Sequence, residues 1–256
     1  MANQIWKNAK LYVNGIDLSG DMNSMGLTHS AELQDATVYG SSFKKRKPGL
    51  IDTQVTGAGF WNSSEGLYGT TRNKPDPTIF RDVGSTGIID ILPHSTDLGG
   101  TAYMFDGLIG DYSPGGAVGE MFKFSFTANS KSKTGRGKLL MRGILSTKWG
   151  LVNTSTGQNI GVNTTDKSII TDVHILGSSG AAGAAMTVRI QSSTAADFSG
   201  TPKVLHTITL TTANVGKAVR HTTANPSTSY SYVRAKTSQA GTSLKRFKAI
   251  VTVGYK

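Results

Sequence analysis

The sequence predicts an all-β protein made of two β-sandwich or barrel domains, with at most one short helix. Three observations favour this class: many short stretches alternate between apolar and polar residues, glycine occurs 31 times, and charged residues make up only 17% of the chain. At 256 residues the chain is long enough for one large domain or two ordinary ones, and we predict two. We place the boundary at residue 150, where a polar stretch without clear periodicity begins, so residues 1–150 and 151–256 form the two domains.

The first predicted elements are a hairpin and a basic turn. Residues 10–21 form two short strands joined by an Asn-Gly pair, which supplies the positive φ of a tight turn. Residues 26–40 are ambiguous between helix and strand, and the β-branched and aromatic "TVY" near their end favours strand there. The next stretch, "SSFKKRKPGL", holds four consecutive bases before a Pro-Gly pair and fits one short helix or a basic turn.

The stretch "GLIDTQVTGAGFW", residues 49–61, alternates as a strand with two different sides. Ile51 and Val55 lie on the apolar side, and Asp52 and Gln54 lie on the polar side. The polar side could face a substrate, bulk water, or the lumen or neighbouring subunit of an assembly.

Residues 62–78 have the Gly, Pro, Asn and Ser content of a long loop. Loops of more than a dozen residues without structure of their own are uncommon unless they have a function. We therefore predict that this segment is a contact arm.

Three more strands are predicted at 86–92, 100–113 and 119–128. In the last, three phenylalanines at every second position share one face and polar residues share the other, which is typical of a core strand with a solvated outer face. A basic turn over 129–143 runs into a strand. In the second half the strands are "SIITDVHIL", "AMTVRIQSS", "KVLHTITLTT", "YSYVRAKTS" and "RFKAIVTVGY", at a spacing typical of a sandwich or small barrel.

Charge is unevenly distributed along the chain. Residues 1–128 contain 13 acidic and 10 basic side chains, whereas residues 129–256 contain 3 acidic and 17 basic ones. A basic half can contact nucleic acid or the acidic surface of another protein. Because the sequence has no helix-turn-helix, finger or aromatic RNA-binding strand, it does not predict sequence-specific recognition of nucleic acid.

Known catalytic and metal-binding patterns are missing from the sequence. There is no cysteine, the five histidines are scattered, and neither a Walker loop nor a GxSxG nucleophile motif occurs. We predict no enzyme activity, no metal and no cofactor. The sequence also shows neither a signal-peptide core nor an apolar run of membrane-spanning length, so we expect a soluble protein made in the cytoplasm, without a membrane partner.

Four stretches of the first half, in this order, carry a resemblance to a known family. They are "KLYVNGIDLSGD", "DATVYG" with the basic stretch and "PGL" behind it, "VTGAGFW", and "GEMFKFSF" followed by "GRGKLL". Together they resemble the tail tube (major tail) proteins of long, flexible-tailed bacteriophages, over about the first 145 residues. The stretches "AMTVRIQSSTAADFSG" and "SYVRAKTSQAGTS" are similar to a second β-domain of such phage proteins, which is either a duplicated tube fold or an Ig-like domain on the outside.

The resemblance implies a structural virion protein that polymerises with itself into stacked rings. The rings would contain six subunits, or three with pseudo-sixfold symmetry, and DNA would pass through the lumen without sequence-specific binding. Other phage tail proteins would be partners, and the virion tail would be assembled in the host cytoplasm.

The resemblance also implies roles for particular residues. Lumen-facing candidates are Asp52, Gln54 and Glu120. Subunit-interface candidates are Lys44, Lys45, Arg46, Lys47, Asn62, Tyr68 and Arg72. Because a basic lumen would bind phosphates and retain DNA, the excess positive charge of the second half is expected outside or in interfaces.

Two other functions stay open at the level of sequence. The protein could be a different virion β-protein, such as a capsid decoration protein, a tail-tip component or a receptor-binding module. It could also be an enzyme, which a set of acids buried in one cleft would support.

Overall fold

The structure is a computed structural model. It describes residues 8–62, 74–94, 98–146, 153–154, 157–161, 167–180, 185–224, 231–239 and 245–256. The prediction of an all-β fold with at most one short helix is confirmed: the described strands form two antiparallel sheets, and the only α-helix in these residues is α1 (Pro75–Asp82).

The strands are numbered in chain order. The larger sheet contains β1 (Lys10–Val13), β2 (Ile16–Asp17), β3 (Met22–Asp35), β4 (Arg46–Phe60), β5 (Thr86–Leu92), β6 (Thr101–Gly115), β7 (Lys123–Ser130), β8 (Gly135–Ser146), β11 (Ile169–Gly180), β14 (Lys217–Thr223) and β16 (Lys245–Tyr255). The smaller sheet contains β9 (Asn153–Thr154), β10 (Gln158–Asn159), β12 (Met186–Ser193), β13 (Lys203–Leu210) and β15 (Tyr232–Gln239).

Strand β6 is the junction of the larger sheet. Its first residues pair with β8, and its later residues, from Gly107, pair with β7. The path through β8 continues to β16, β11 and β14, while the path through β7 continues to β4 and β3. On its other side β6 pairs with β5, which leads to β1 and β2.

Apolar side chains from alternate strand positions form separate cores. One core lies between β1, β5, β6, β4 and β7, and α1 closes it with Ile79. A second core lies between β8, β11 and β16 and the inner face of the smaller sheet, where Val173 and Phe247 of the larger sheet belong to the same cluster as Val188 and Ile208. The second core therefore makes a sandwich, as the spacing of strands predicts.

The division into domains at residue 150 stays a prediction, but the strand pairing crosses it. β8 lies before residue 150 and β16 near the end of the chain, and they pair from Arg136 with Tyr255 to Ser146 with Arg246. One continuous sheet thus contains strands from both halves, and only the smaller sheet lies wholly after residue 150.

The structure corrects the prediction for residues 26–47. The strand is β3, which ends at Asp35, so the "TVY" stretch that favoured strand lies in the turn between β3 and β4. The carboxylate of Asp35 accepts a hydrogen bond from the N–H of Thr37 at 2.8 Å. Such a local bond favours a turn, and here it outweighs the β-propensity of the "TVY" residues. Of the helix or turn predicted for the basic stretch, residues 41–45 form a turn, but β4 begins at Arg46, so the Pro-Gly pair that indicated a stop lies inside a strand.

The loop predicted at 62–78 is also partly wrong, because α1 begins at Pro75. Proline is tolerated in the first turn of a helix, where its missing N–H has no partner in any case, so the "PDPT" stretch that indicated a loop instead begins a helix. Residues 63–73 of the predicted arm lie outside the described residues. Strand β14 was missed altogether, since its residues are mostly polar and only half-buried.

Candidate assembly surfaces

The hairpin of β3 and β4 extends beyond the rest of the larger sheet. β7 pairs with β4 only from Gln54 onward, so residues 46–53 of β4 pair with β3 alone. We call residues 31–51 the arm. A two-stranded ribbon of this kind is at best marginally stable in water by itself.

The arm carries large apolar side chains that no described residue covers. At its tip, Tyr39 is 108% exposed and Phe43 is 83% exposed. Val38 in the turn is exposed as well, and three more exposed apolar side chains lie on the two strands: Leu33, Leu50 and Ile51. Scattered single apolar residues are normal on a protein surface, but six on one narrow ribbon mark an interaction site.

The four basic interface candidates lie at the same tip. Lys44, Lys45, Arg46 and Lys47 are all exposed, and no ion pair joins them to another described residue. Hydrogen bonds from the hydroxyl and the N–H of Thr37 lower the pKa of Asp35, so this carboxylate is occupied by the turn. The tip is therefore both apolar and cationic.

The lumen candidates Asp52 and Gln54 lie on an open face formed by β3, β4, β6 and β7. Cross-strand partners point to the same side of a sheet, and Gln54 is opposite Thr28 on β3 and Asn129 on β7. The amide of Gln54 donates to Asn129 at 3.1 Å, and the hydroxyl of Ser130 donates to Asp52 at 3.0 Å.

Small, uncharged side chains cover most of this open face. On β3, β4 and β7 they include Ser24, Gly26, Thr28, Ser30, Thr56, Ala58, Ser125 and Thr127. Its charged residues are Asp52, Asp111 on β6 and Lys123 at its margin. Two large apolar side chains also lie on it, Leu108 opposite Asn129 and Phe60 opposite Lys123. The face is thus mostly polar and close to neutral, unlike the basic second half of the chain.

A second exposed apolar site lies at the other end of β4. The turn between β6 and β7 exposes Val118, Met121 and Phe122, and the third lumen candidate, Glu120, belongs to this turn and not to the open face. Phe122 packs edge-to-face on Trp61, with ring centroids 5.5 Å apart. At about 3.3 Å per residue, this end of β4 is about 45 Å from the tip of the arm.

Asp76 of α1 fixes the aromatic side chains near that second end. Its Oδ1 accepts the indole N–H of Trp61 at 3.0 Å and the hydroxyl of Tyr112 at 2.9 Å. Burial raises the pKa of Tyr112, and the hydrogen bond to Asp76 raises it further, so the phenol keeps its proton. Beside them Asn62, an interface candidate, donates its amide to Asp21 at 3.0 Å.

A buried polar cluster lies where the two halves of the chain meet in the larger sheet. Asp90 of β5 and His174 of β11 are fully buried, with Nε2 of His174 3.4 Å from Oδ2 of Asp90. Thr252 donates to the same oxygen at 2.5 Å. Burial by itself would raise the pKa of Asp90, but His174, Thr252 and Arg220 together lower it.

Asp172 and Arg220 complete the cluster. The guanidinium of Arg220 on β14 donates to both carboxylate oxygens of Asp172, through Nε at 2.7 Å. Sequence reasoning missed this cluster, although its signal was visible as an aspartate or histidine inside strands that are otherwise apolar. The two acids are enclosed between strands and do not lie in a cleft that a substrate could enter.

A depression of about 320 Å³ lies near this cluster, lined by Asn14, Arg81, Asp82, Gly216, Lys217 and Ala218. Asn14 reaches Asp82 from the β1–β2 turn at 2.9 Å. Among the described residues no group of three or more His, Cys, Asp or Glu side chains is placed to hold a metal ion. In the same part of the chain no helix is long and apolar enough to span a membrane.

The structure places the predicted site residues in three locations, and two of these residues lie outside the described part of the chain. Asp52 and Gln54 lie on the open face. The basic candidates lie at the tip of the arm, while Asn62 and Glu120 lie at the opposite end of β4. Tyr68 and Arg72 lie outside the described residues. The apolar side chains of the arm were not predicted as a site, although "TVYGSSF" placed Tyr39 and Phe43 beside the basic stretch.

These surfaces define an antiparallel all-β protein with a projecting arm and an open polar sheet. No protein-family model and no curated protein matches the chain. Solved structures similar to it include a protein of the virion of a native gene transfer agent particle, at 16% identity and a TM-score of 0.38, covering 52% of this chain and 97% of the other. The SPP1 Dit (gp 19.1) protein, described as a paradigm of the hub adsorption apparatus in phages that infect Gram-positive bacteria, is 11% identical with a TM-score of 0.33, covering 98% and 100%.

A third similar structure is a chain of the phage p2 baseplate in its activated conformation with Sr, at 9% identity and a TM-score of 0.32, covering 94% of this chain and 97% of the other. The structures named here thus come from the tail parts of phages and from a gene transfer agent particle. Likenesses of this size assign neither a family nor a function to the chain.

Proposed function

We propose that this chain is a structural subunit of a phage tail, which assembles with copies of itself into rings that stack into a tube for DNA. The observation that carries the proposal is the uncovered arm. Burying a large apolar side chain is worth about 1.5–3 kcal/mol, so six of them on a marginally stable ribbon favour an assembly that covers them.

Strand edges support assembly within a ring. β3 pairs only with β4, so its other edge presents 14 residues of backbone without a partner strand among the described residues. Exposed edges of this length are a liability for a monomer, and pairing with a neighbouring subunit would satisfy them. Repeated around an axis, that contact closes the open sheets into a ring.

The two exposed ends of β4 support stacking of rings. The arm and the β6–β7 turn are different surfaces at opposite ends of one strand, so a contact between them is head-to-tail. Head-to-tail contacts that do not close on themselves continue indefinitely. We assign Lys44, Lys45, Arg46 and Lys47 to this stacking contact, with Glu120 on the receiving end.

The open face is the surface we assign to the lumen, through Asp52 and Gln54. DNA moves freely past a surface only where few cations bind its phosphates. The face carries two carboxylates, one lysine at its margin and otherwise neutral side chains, most of them small, with Leu108 and Phe60 as the large exceptions. We favour six subunits in a ring over three. Three subunits would need a duplicated tube fold with two such hairpins in each chain, whereas the described residues contain one hairpin as long as β3–β4.

The test is electron microscopy of the purified full-length protein at high concentration, with its mass measured in solution. Hollow tubes of stacked rings are expected, with a ring mass of six subunits. The double variant Tyr39→Ser/Phe43→Ser should lose stacked rings while keeping the circular-dichroism spectrum and unfolding temperature, because both side chains are exposed. The matched control is Ile144→Ser, which removes an exposed apolar side chain from β8 and should stack normally.

Two results would contradict the proposal. If the wild-type protein stays monomeric at every concentration, it does not form a tube. If the arm variants stack as well as Ile144→Ser, the arm is not part of the stacking contact. Single rings that never stack would instead support the second candidate, a tail-tip or other virion β-protein. The smaller sheet, which is separate from the larger one, favours this candidate.

A further inference from the structure

The outer face of the smaller sheet is strongly cationic. Its inner face packs in the second core, so side chains at alternate positions of β12 and β15 point outward: Thr187, Arg189, Gln191, Arg234, Lys236 and Ser238. The three longest strands of this sheet, β12, β13 and β15, contain no aspartate or glutamate.

Two of these cations stand directly opposite each other. Arg189 and Lys236 are cross-strand partners, a position where like charges repel, and no side-chain hydrogen bond or ion pair joins either to another described residue. Such a pair costs stability unless an anion lies over it. This outward face therefore has the charge arrangement of a binding surface and not of a structural ion pair.

Arg234 is held in place beside them. Its guanidinium carbon lies 4.2 Å from the ring centroid of Phe198, and its Nε donates to Gln191 at 3.0 Å. The ring of Phe198 and the amide of Gln191 fix the plane of the guanidinium. No described carboxylate binds its other two nitrogens. A fixed fork of this kind suits phosphate oxygens.

The half of the chain that carries this face has little negative charge of its own. Residues 129–256 contain 3 acidic and 17 basic side chains, and the chain as a whole carries a net charge of +11. Of the three acidic residues after 128, Asp172 is paired with Arg220, and Asp197 accepts the N–H of Ser199 in its own turn. The third, Asp166, lies outside the described residues.

We propose that this cationic face binds duplex DNA by its phosphates, without reading its sequence. Residues two apart on a strand are about 6.6 Å apart and their side chains project in parallel, so Arg234 and Lys236 suit a line of charges more than a single small anion. Duplex DNA carries one negative charge per about 1.7 Å of its axis. The neutral donors Thr187, Gln191 and Ser238 can bond further phosphate oxygens.

The inference does not rest on the tube. The cationic face belongs to the smaller sheet and the near-neutral open face to the larger one, so a chain could hold DNA at one surface and let it pass at the other. Failure of DNA binding would leave ring stacking unaffected, and failure of stacking would leave DNA binding unaffected.

The test measures binding of the full-length, unassembled protein to two 30-base-pair duplexes of unrelated sequence, over a range of salt concentrations. We expect equal affinity for both duplexes. Arg189→Gln/Lys236→Gln should weaken binding by about tenfold or more at about 0.1 M salt and lower the slope of log K against log salt by about 2. The fold should be unchanged, since both side chains point outward, and Lys236→Gln alone should lower the slope by about 1.

The matched control is Lys248→Gln, which removes one charge from an exposed position of β16. Its neighbour Ala249 faces the second core, so Lys248 points away from the smaller sheet. Affinity and slope should stay close to wild type in this variant.

Three results would overturn the inference. The wild-type protein could fail to bind either duplex at low salt. Lys248→Gln could weaken binding as much as Lys236→Gln, which would make net charge the cause. Polyglutamate could compete as well as DNA at equal charge, which would assign the face to an acidic protein surface.

Discussion

The backbone N–H of Gly15 donates a hydrogen bond to Nδ1 of His174, 3.1 Å away, across 159 residues of sequence. Because Nδ1 accepts this bond, the ring proton lies on Nε2, which faces Asp90. The turn between β1 and β2 is thereby fixed to β11, and the two halves of the chain are joined by side chains as well as by the shared sheet.

Gly15→Ala should destabilise the protein more than the same substitution at a glycine that has a positive φ but no close neighbours. Gly15 has φ +82°, and a Cβ there would lie 2.3 Å from the carbonyl oxygen of Lys217. We expect a loss of about 2 kcal/mol or more in the free energy of unfolding, measured with urea. The control Gly84→Ala has a similar φ of +78° but meets no atom within 4 Å, so it should lose only about 1 kcal/mol. Equal losses would show that β14 moves aside.

Removing one partner of the Asp172–Arg220 pair should be costly. Arg220→Met leaves the buried carboxylate of Asp172 without its guanidinium, and we expect a loss of about 3–5 kcal/mol in the free energy of unfolding. The double variant Asp172→Leu/Arg220→Met leaves no unpaired charge at this position and should recover more than half of that loss. A double variant as unstable as Arg220→Met would mean that the pair contributes net stability.

Acid should destabilise the protein through His206. Burial lowers the pKa of His206 to about 4, and the neighbouring His221 contributes to the same shift. In the unfolded chain the pKa is about 6.5, so the unfolded state binds more protons between these values. This contribution to stability is therefore complete above about pH 6.5 and is lost as the pH falls toward 4.

The loss between pH 7.5 and 4.5 should be about 1–2 kcal/mol in urea unfolding, allowing for partial access of water to the ring. Thr171 and Thr223 hold the two ring nitrogens at 2.8 and 2.6 Å. His206→Gln should show a weaker pH dependence, whereas the exposed control His29→Gln should keep that of the wild type. An unchanged pH dependence in His206→Gln would assign the acid sensitivity to other groups.

Asp76→Ala should loosen the end of β4. The substitution removes the acceptor of two hydrogen bonds, from Trp61 and Tyr112, and should lower the free energy of unfolding by about 1–2 kcal/mol. Asp111→Ala is the control, because Asp111 is exposed and, among the described side chains, accepts only from Ser113 in its own strand; it should lose less than about 0.5 kcal/mol. Equal effects would argue that Asp76 does not hold the aromatic rings.

The alternation of apolar and polar residues in the sequence predicts the structure best where strands are half-buried. Strand β5 covers the predicted residues 86–92, and β4 places Val55 in the core while Asp52 and Gln54 face outward, as predicted. The helix α1 and the edge strand β14 were missed, because a helix that begins with Pro75 and a strand of half-buried polar residues lack the periodic signal. Of the predicted site residues, the basic ones were chosen by charge alone and stay a prediction, and their apolar neighbours were not included.

The sequence by itself determined the all-β class, the faces of the main strands and the uneven distribution of charge, because these follow from local alternation and composition. Only the tertiary structure decided that β8 pairs with β16, that the arm extends beyond its sheet, and that Arg189 stands opposite Lys236. Register and strand order depend on contacts between residues far apart in the chain, and no local pattern specifies which distant strand becomes a neighbour.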